Sequence, residues 1–198
     1  MFYYQEITLI EQAEISVYFI WSKLYTQLHL ALVEVKDQND KVNIGISFPE
    51  YRFSEEKGMW FLGTKLRLIA NSDEVLHNLK IKNWLSRLSD YVDITSIREV
   101  PAHKITGYVS FSRKQVKTNA ERLARYRVKS GDIDFAEAVL RYQNIVTRTD
   151  LPFIQLNSLN NKHPFRLFIE KQEKEQSPGF LFSTYGLSPL CAVPEFIT

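Results

Sequence analysis

Apolar positions change period along the chain, and the changes mark its elements. Residues 3–10, YYQEITLI, read as a strand. Across residues 14–36, Trp21, Leu24, Tyr25, Leu28, Leu32 and Val35 recur at helical spacing and predict a long amphipathic helix. In VNIGISF, residues 42–48, Val42, Ile44, Ile46 and Phe48 alternate as the inward face of a strand. YRFSEEKGMWFLG, residues 51–63, mixes charge with glycine and reads as a loop. TKLRLIA, residues 64–70, alternates again. Asn71 and Glu74 then stand at capping-box spacing, ahead of a helix carrying Val75, Leu76, Leu79, Leu85 and Leu88. DITSIREV, residues 93–100, closes as a strand.

The order strand–helix–strand–strand–helix–strand predicts a ferredoxin-like first half, residues 1–100. Residues 101–198 form the second half. ITGYVSFSRKQVK, residues 105–117, starts as a strand and runs into an extended basic segment. TNAERLARYRVKSG, residues 118–131, reads as a helix, with Thr118 and Glu121 as its capping box and Gly131 at its end. A second helix spans about residues 134–146. Strands follow at PFIQLN (152–157), FRLFIEK (165–171) and GFLFSTYG (179–186), with KQEKEQSP (171–178) as a surface loop. The fold class is therefore α+β: a ferredoxin-like N-terminal half and a basic α/β C-terminal half carrying an arginine-rich helix. Unrelated activities share this topology, so it does not fix function.

Charge separates the halves. Residues 1–100 hold 11 Lys and Arg against 14 Asp and Glu, whereas residues 101–198 hold 14 against 9. Between Lys104 and Ser130 there are eight basic residues and one acid, Glu121. This block is either a solvated surface or the footprint of a polyanion. In the 118–131 helix only Leu123, Ala124 and Val128 are aliphatic, while Arg122, Arg125 and Lys129 share one face. A helix polar nearly all round is exposed and marginal, or is stabilised from outside the chain. The single cysteine, Cys191, excludes an internal disulfide and suits a reducing cytoplasm. The N-terminus lacks the basic region of a signal peptide, and the apolar run Val17 to Trp21 is far short of the ~20 residues that span a membrane.

HExxH, Walker, GxGxxG and GxSxG motifs are absent, and carboxylates do not cluster as a magnesium nuclease requires. Cleavage of a phosphodiester would then proceed without a metal. RNA permits this, because its own 2′-hydroxyl can attack the adjacent phosphate once a base takes its proton. Histidine, with an unperturbed pKa of about 6.5, is the natural base. His29 lies about 100° round the first helix from the centre of the apolar stripe, as a boundary residue or as a ring reaching a cleft. His163, in the loop SLNNKHP, is a rival as a phosphate contact. Arg113 and Gln115, two apart on extended chain, point the same way. They are two surface side chains, or a pair suited to guanine O6/N7 and adenine N6/N7.

LHLALV (28–33), GISFP (45–49), SRKQVKTNAERL (112–123), LPFIQLNS (151–158), FRLFI (165–169), YGLS (185–188) and VPEF (193–196) occur in this order. Together they resemble the CRISPR RNA-processing endoribonuclease of type I-F systems, from the first strand to the C-terminus. The resemblance implies metal-independent, cofactor-free cleavage of CRISPR repeat RNA at the base of its hairpin, and retention of the product with other subunits of a surveillance complex. It implies His29 as general base, Ser158 as the group holding the 2′-hydroxyl, and Tyr185 as a positioning residue. Arg113 and Gln115 would read two purines, and Phe165 would stack beneath the terminal base pair. Arg122, Arg125 and Lys129 would contact phosphates in the major groove, with Lys117 and Arg127 nearby. Ala124 and Tyr126 interrupt an arginine run that is denser in the family, and the 51–63 loop is long for it. A non-catalytic subunit that binds the RNA hairpin is the alternative.

Overall fold

The structure is a computed structural model. It describes residues 1–54, 56, 58–116, 124, 125, 127–129, 133–143, 149–158 and 161–197, with 141–143 in backbone only. Its elements run β1 (Tyr3–Leu9), α1 (Val17–Glu34), β2 (Lys41–Val42), β3 (Gly45–Ser47), β4 (Arg52–Ser54), β5 (Met59–Phe61), β6 (Lys65–Ala70), α2 (Asp73–Leu79), α3 (Ile81–Trp84), β7 (Val92–Ile94) and β8 (Arg98–Glu99). The second half adds β9 (Ile105–Lys114), α4 (Phe135–Gln143), β10 (Phe153–Asn157), β11 (Pro164–Lys174), β12 (Phe182–Ser183) and β13 (Val193–Phe196). The protein is a mixed α/β chain, richer in sheet than in helix.

The first sheet has the order β3-β6-β1-β7, with β8 also paired to β1. Each neighbouring pair is antiparallel. The second sheet has the order β10-β11-β9-β13, again antiparallel. One continuous core joins them: Ile7, Leu24, Leu28, Ile46 and Leu68 cluster with Phe111, Ile154, Leu167 and Val193. Arg67 on β6 clamps the chain's end to the first sheet. Its Nε donates to Glu6 Oε2 at 2.7 Å, another nitrogen donates to the Phe196 carbonyl at 2.7 Å, and the guanidinium lies 4.2 Å from the Phe196 ring centre.

α1 forms because its apolar residues keep to one face. Ile20, Trp21, Leu24, Tyr25, Leu28, Ala31 and Leu32 are buried, and the Ser16 side chain caps the N-terminus by accepting from Tyr18 N. The helix is shorter than residues 14–36, and Val35 lies past its end, exposed to solvent. Val42, Ile44, Ile46 and Phe48 are all buried, as alternation predicts, but 42–48 is not one strand: β2 ends at Val42 and pairs with β12, whereas β3 begins at Gly45, pairs with β6 and is buried at every residue. β6 departs from alternation because both its faces are covered, so Leu66 to Ala70 are all buried.

Elsewhere the pattern misled. Within 51–63, β4 pairs with β5 as a two-stranded ribbon, which leaves Met59, Trp60 and Phe61 exposed. The second helix begins after Ser72, with no side-chain cap, and breaks at Lys80, whose φ is +50°. The 93–100 stretch is two short strands. β11 continues through Lys174, so the start of KQEKEQSP is strand, held by pairing with β9. Of residues 179–186 only Phe182–Ser183 is strand; the rest includes a tight turn.

Candidate active site

Two side chains one turn apart on α1 grip two consecutive carbonyls of the 183–186 turn. His29 Nδ1 lies 2.8 Å from the Thr184 carbonyl, and the Tyr25 hydroxyl donates to the Tyr185 carbonyl at 2.8 Å. A carbonyl oxygen only accepts, so Nδ1 carries a proton, and in the neutral ring the lone pair then lies on Nε2. That is the tautomer a general base needs. The His29 and Tyr185 rings stack at 4.1 Å between centres and 3° between planes.

The turn itself is over-determined. Gly186 N donates to Ser183 O at 2.7 Å, and Ile46 N donates to Gly186 O at 2.9 Å. Gly186 has φ of +69°, and a Cβ there would overlap the Ile46 side chain, so only glycine fits. Burial holds the Tyr185 phenol above its ordinary range, against an opposing pull from the Arg113 guanidinium. It therefore stays protonated and can donate. Burial pushes Tyr25 further up, with a smaller contribution from Tyr185.

Ser158 ends β10. Its backbone N–H donates to the His163 carbonyl at 2.9 Å, and its carbonyl accepts from Lys162 N at 2.8 Å. This closes the connection to β11 and places Ser158 opposite α1. His29, Ser158 and Tyr185 line one cleft of about 210 Å³, with Thr26, Leu156, Asn157 and Phe165. All three are half-buried. Sequence reasoning missed Thr26 and Asn157, which sit beside His29 and Ser158, and treated Tyr25 only as core.

Phe165 also lines a larger groove, of about 850 Å³, together with Arg113, Lys114, Gln115, Gln155 and Arg166. Arg113 and Gln115 are exposed at the end of β9, and the Arg113 guanidinium lies 5.5 Å from the Phe165 ring centre. Lys114, between them, pairs with Glu170 at 3.0 Å. Phe165 is half-buried, whereas Leu167 and Ile169 on the same strand are buried completely. Arg166 was missed as well; it turns outward and lies over the Phe153 ring at 4.6 Å.

The remaining predicted residues either do not line the cleft or lie outside the described residues. His163 is exposed in the β10–β11 connection. Lys117 and Arg122 lie outside the described residues, as does most of the 118–131 stretch. Within it, Arg125, Arg127 and Lys129 are exposed and Ala124 is buried. Among the described residues no three His, Cys, Asp or Glu side chains group as a metal site, and no helix is long and apolar enough to cross a membrane.

The family model of the CRISPR-associated protein Cas_Csy4 matches residues 4–196. The chain belongs to the Cas6/Csy4 family. It is 35% identical over 199 residues to the CRISPR-associated endonuclease Cas6/Csy4 of Escherichia coli strain UTI89, covering 99% of this chain and 100% of that protein. Against the enzyme of the same name from Pseudomonas aeruginosa strain UCBPP-PA14 it is 36% identical over 200 residues, again covering 99% and 100%. A solved structure of a Cas6-related protein from Pyrococcus furiosus covers 98% of each chain at 12% identity and a TM-score of 0.35. Family membership therefore rests on sequence, and the fold on this chain's own strand pairing.

Proposed function

We propose that this chain is a metal-independent endoribonuclease that cuts CRISPR repeat RNA at the base of its hairpin and stays bound to the product in a guide-RNA surveillance complex. One observation carries the reading: His29, Ser158 and Tyr185 line a single cleft that shares its Phe165 wall with the Arg113–Gln115 groove. Nε2 of His29 takes the proton of the 2′-hydroxyl, which Ser158 holds. The 2′ oxygen attacks the neighbouring phosphorus, and the P–O5′ bond breaks. The products are a 2′,3′-cyclic phosphate and a 5′-hydroxyl, the departing oxygen gaining the proton that the 2′-hydroxyl lost. Tyr185, stacked on the imidazole and neutral, positions it and can donate to the phosphate.

In the groove, Arg113 and Gln115 suit neighbouring purines on their major-groove edges. The A-form major groove is deep and narrow, but it opens near the end of a short stem. Phe165 stacks on the terminal base pair, which sets the scissile phosphate at the cleft. The exposed cations Arg125, Arg127 and Lys129, with Lys117, Arg122 and His163, meet phosphates. The order β3-β6-β1-β7 supports a ferredoxin-like first domain, residues 1–100, beside an RNA-binding second one, residues 101–198. A single cysteine among 198 residues supports a cytoplasmic setting.

The test is incubation of the purified protein with a repeat hairpin in EDTA. One product ending in a 2′,3′-cyclic phosphate is expected. Tight binding with no product would replace the enzyme by a non-catalytic hairpin-binding subunit, and cleavage only after metal is restored would refute the mechanism.

A further inference from the structure

The N-terminal half is acidic, yet one part of it is the reverse. Residues 75–89 carry Lys80, Lys82 and Arg87 with no carboxylate, although residues 1–100 hold 14 carboxylates against 11 cations. This stretch forms the end of α2, all of α3 and the turn after it. α3 packs against α1, and between them lies a depression of about 570 Å³. Lys23 and Gln27 of α1 line one side; Asn83, Trp84 and Arg87 line the other. Lys23 and Arg87 are exposed, and Trp84 is half-buried. Among the described residues, no acidic side chain lines the depression. Lys80 and Lys82 line the adjoining one, which shares Asn83.

The depression reaches towards the catalytic cleft across a single helix. Thr26 lines the cleft and Gln27, the next residue, lines the depression. Lys23 lies six residues before His29, about 9 Å along the axis. Cations for phosphates, an indole for stacking and two amides for base edges make the equipment of a single-strand track. An acidic protein would use the cations but leave the indole and amides without purpose.

We propose that this depression binds the single-stranded RNA continuing 3′ of the scissile phosphate. The strand leaves the cleft over the exposed flank of α1, its phosphates meet Lys23 and Arg87, and one base stacks on Trp84. This rests on the function proposed above, and it adds a site that reads the strand beyond the cut.

The test compares two repeat hairpins made uncleavable by a 2′-deoxy sugar at the attacking position. One ends a single nucleotide after the scissile phosphate, and the other carries a longer 3′ oligouridine extension. One stacked base with its phosphate contacts should make the extended RNA bind about tenfold more tightly at moderate salt. Its affinity should also fall more steeply as salt rises. The double variant Lys23→Ala/Arg87→Ala should bring the ratio of the two affinities to about one, and Lys23→Arg/Arg87→Lys should restore it. The ratio is internal to each protein, so a general loss of folding does not mimic the effect. Equal affinities in the wild type, an unchanged ratio in the double variant, or a gain only from a 5′ extension would each overturn the proposal. An acidic-protein site would show as equal affinities. If the shorter uncleavable hairpin is not bound and its cleavable form not cut, the function itself fails; if these hold and only the extension is neutral, this inference alone falls.

Discussion

The two depressions that share Phe165 are built in opposite ways. In the cleft the side chains proposed to react are fastened by the fold itself. His29 is tied to Thr184, Tyr25 ties the next carbonyl, and Gly186 holds the turn in a conformation that only glycine fits. In the groove Arg113 and Gln115 stand exposed at the end of β9. Proton transfer needs a fixed distance and a fixed tautomer, so geometry prepared in advance lowers its barrier. Base reading needs side chains that desolvate only against the correct edge, so their exposure in the free protein costs little. Phe165 lines both regions.

The largest expected effect separates the two regions. His29→Ala should lower single-turnover cleavage of the repeat hairpin by about 10²–10⁴, the usual contribution of a positioned base. Its equilibrium binding to an uncleavable hairpin should stay near wild type. An unchanged cleavage rate would move the base elsewhere and dissolve the contrast between cleft and groove.

Arg113→Ala should do the reverse. Loss of a bidentate base contact costs about 1–3 kcal/mol, so affinity should fall roughly 5- to 150-fold. Cleavage at saturating protein should suffer less. Titration against hairpins carrying each of the four bases at the contacted position checks the assignment: wild type should discriminate among them and the variant should not.

Tyr25→Phe makes a smaller cut, confined to the cleft. It keeps the ring in the core and removes the bond to the Tyr185 carbonyl, a loss of about 0.5–1.5 kcal/mol. The single-turnover rate should drop several-fold while hairpin affinity holds, because the stacked pair loses one of its anchors. A fall in affinity with no fall in rate would show that this hydroxyl serves the groove.

The smallest effect lies in alkaline stability. Burial raises the phenols of Tyr25 and Tyr185, and raises Tyr51 to about 12. In the unfolded chain these groups ionise near pH 10, whereas in the fold they stay protonated. The unfolded state then binds fewer protons, so stability is full below about pH 10 and declines as pH rises past it. Thermal unfolding across that window should show the decline, and it should be shallower in Tyr25→Phe.

Local sequence determined a good deal here. The apolar stripe of α1, the buried positions Val42, Ile44, Ile46 and Phe48 and the strand at Phe153–Asn157 are short-range patterns, legible because a helix or strand face repeats within a few residues, whereas the division of 42–48 between two sheets was not. The ordered motifs pointed to His29, Ser158 and Tyr185, which line one cleft in the structure. Tertiary structure decided the rest. Which faces of β6 are covered, where β11 stops and how 51–63 folds back all depend on pairing with distant strands, and no local period encodes that. The cleft is the clearest case. Its three residues lie far apart in the chain, and only the meeting of α1, the β10 end and the 183–186 turn brings them together. The tautomer of His29 follows from a carbonyl 155 positions away, a partner that no window of sequence contains.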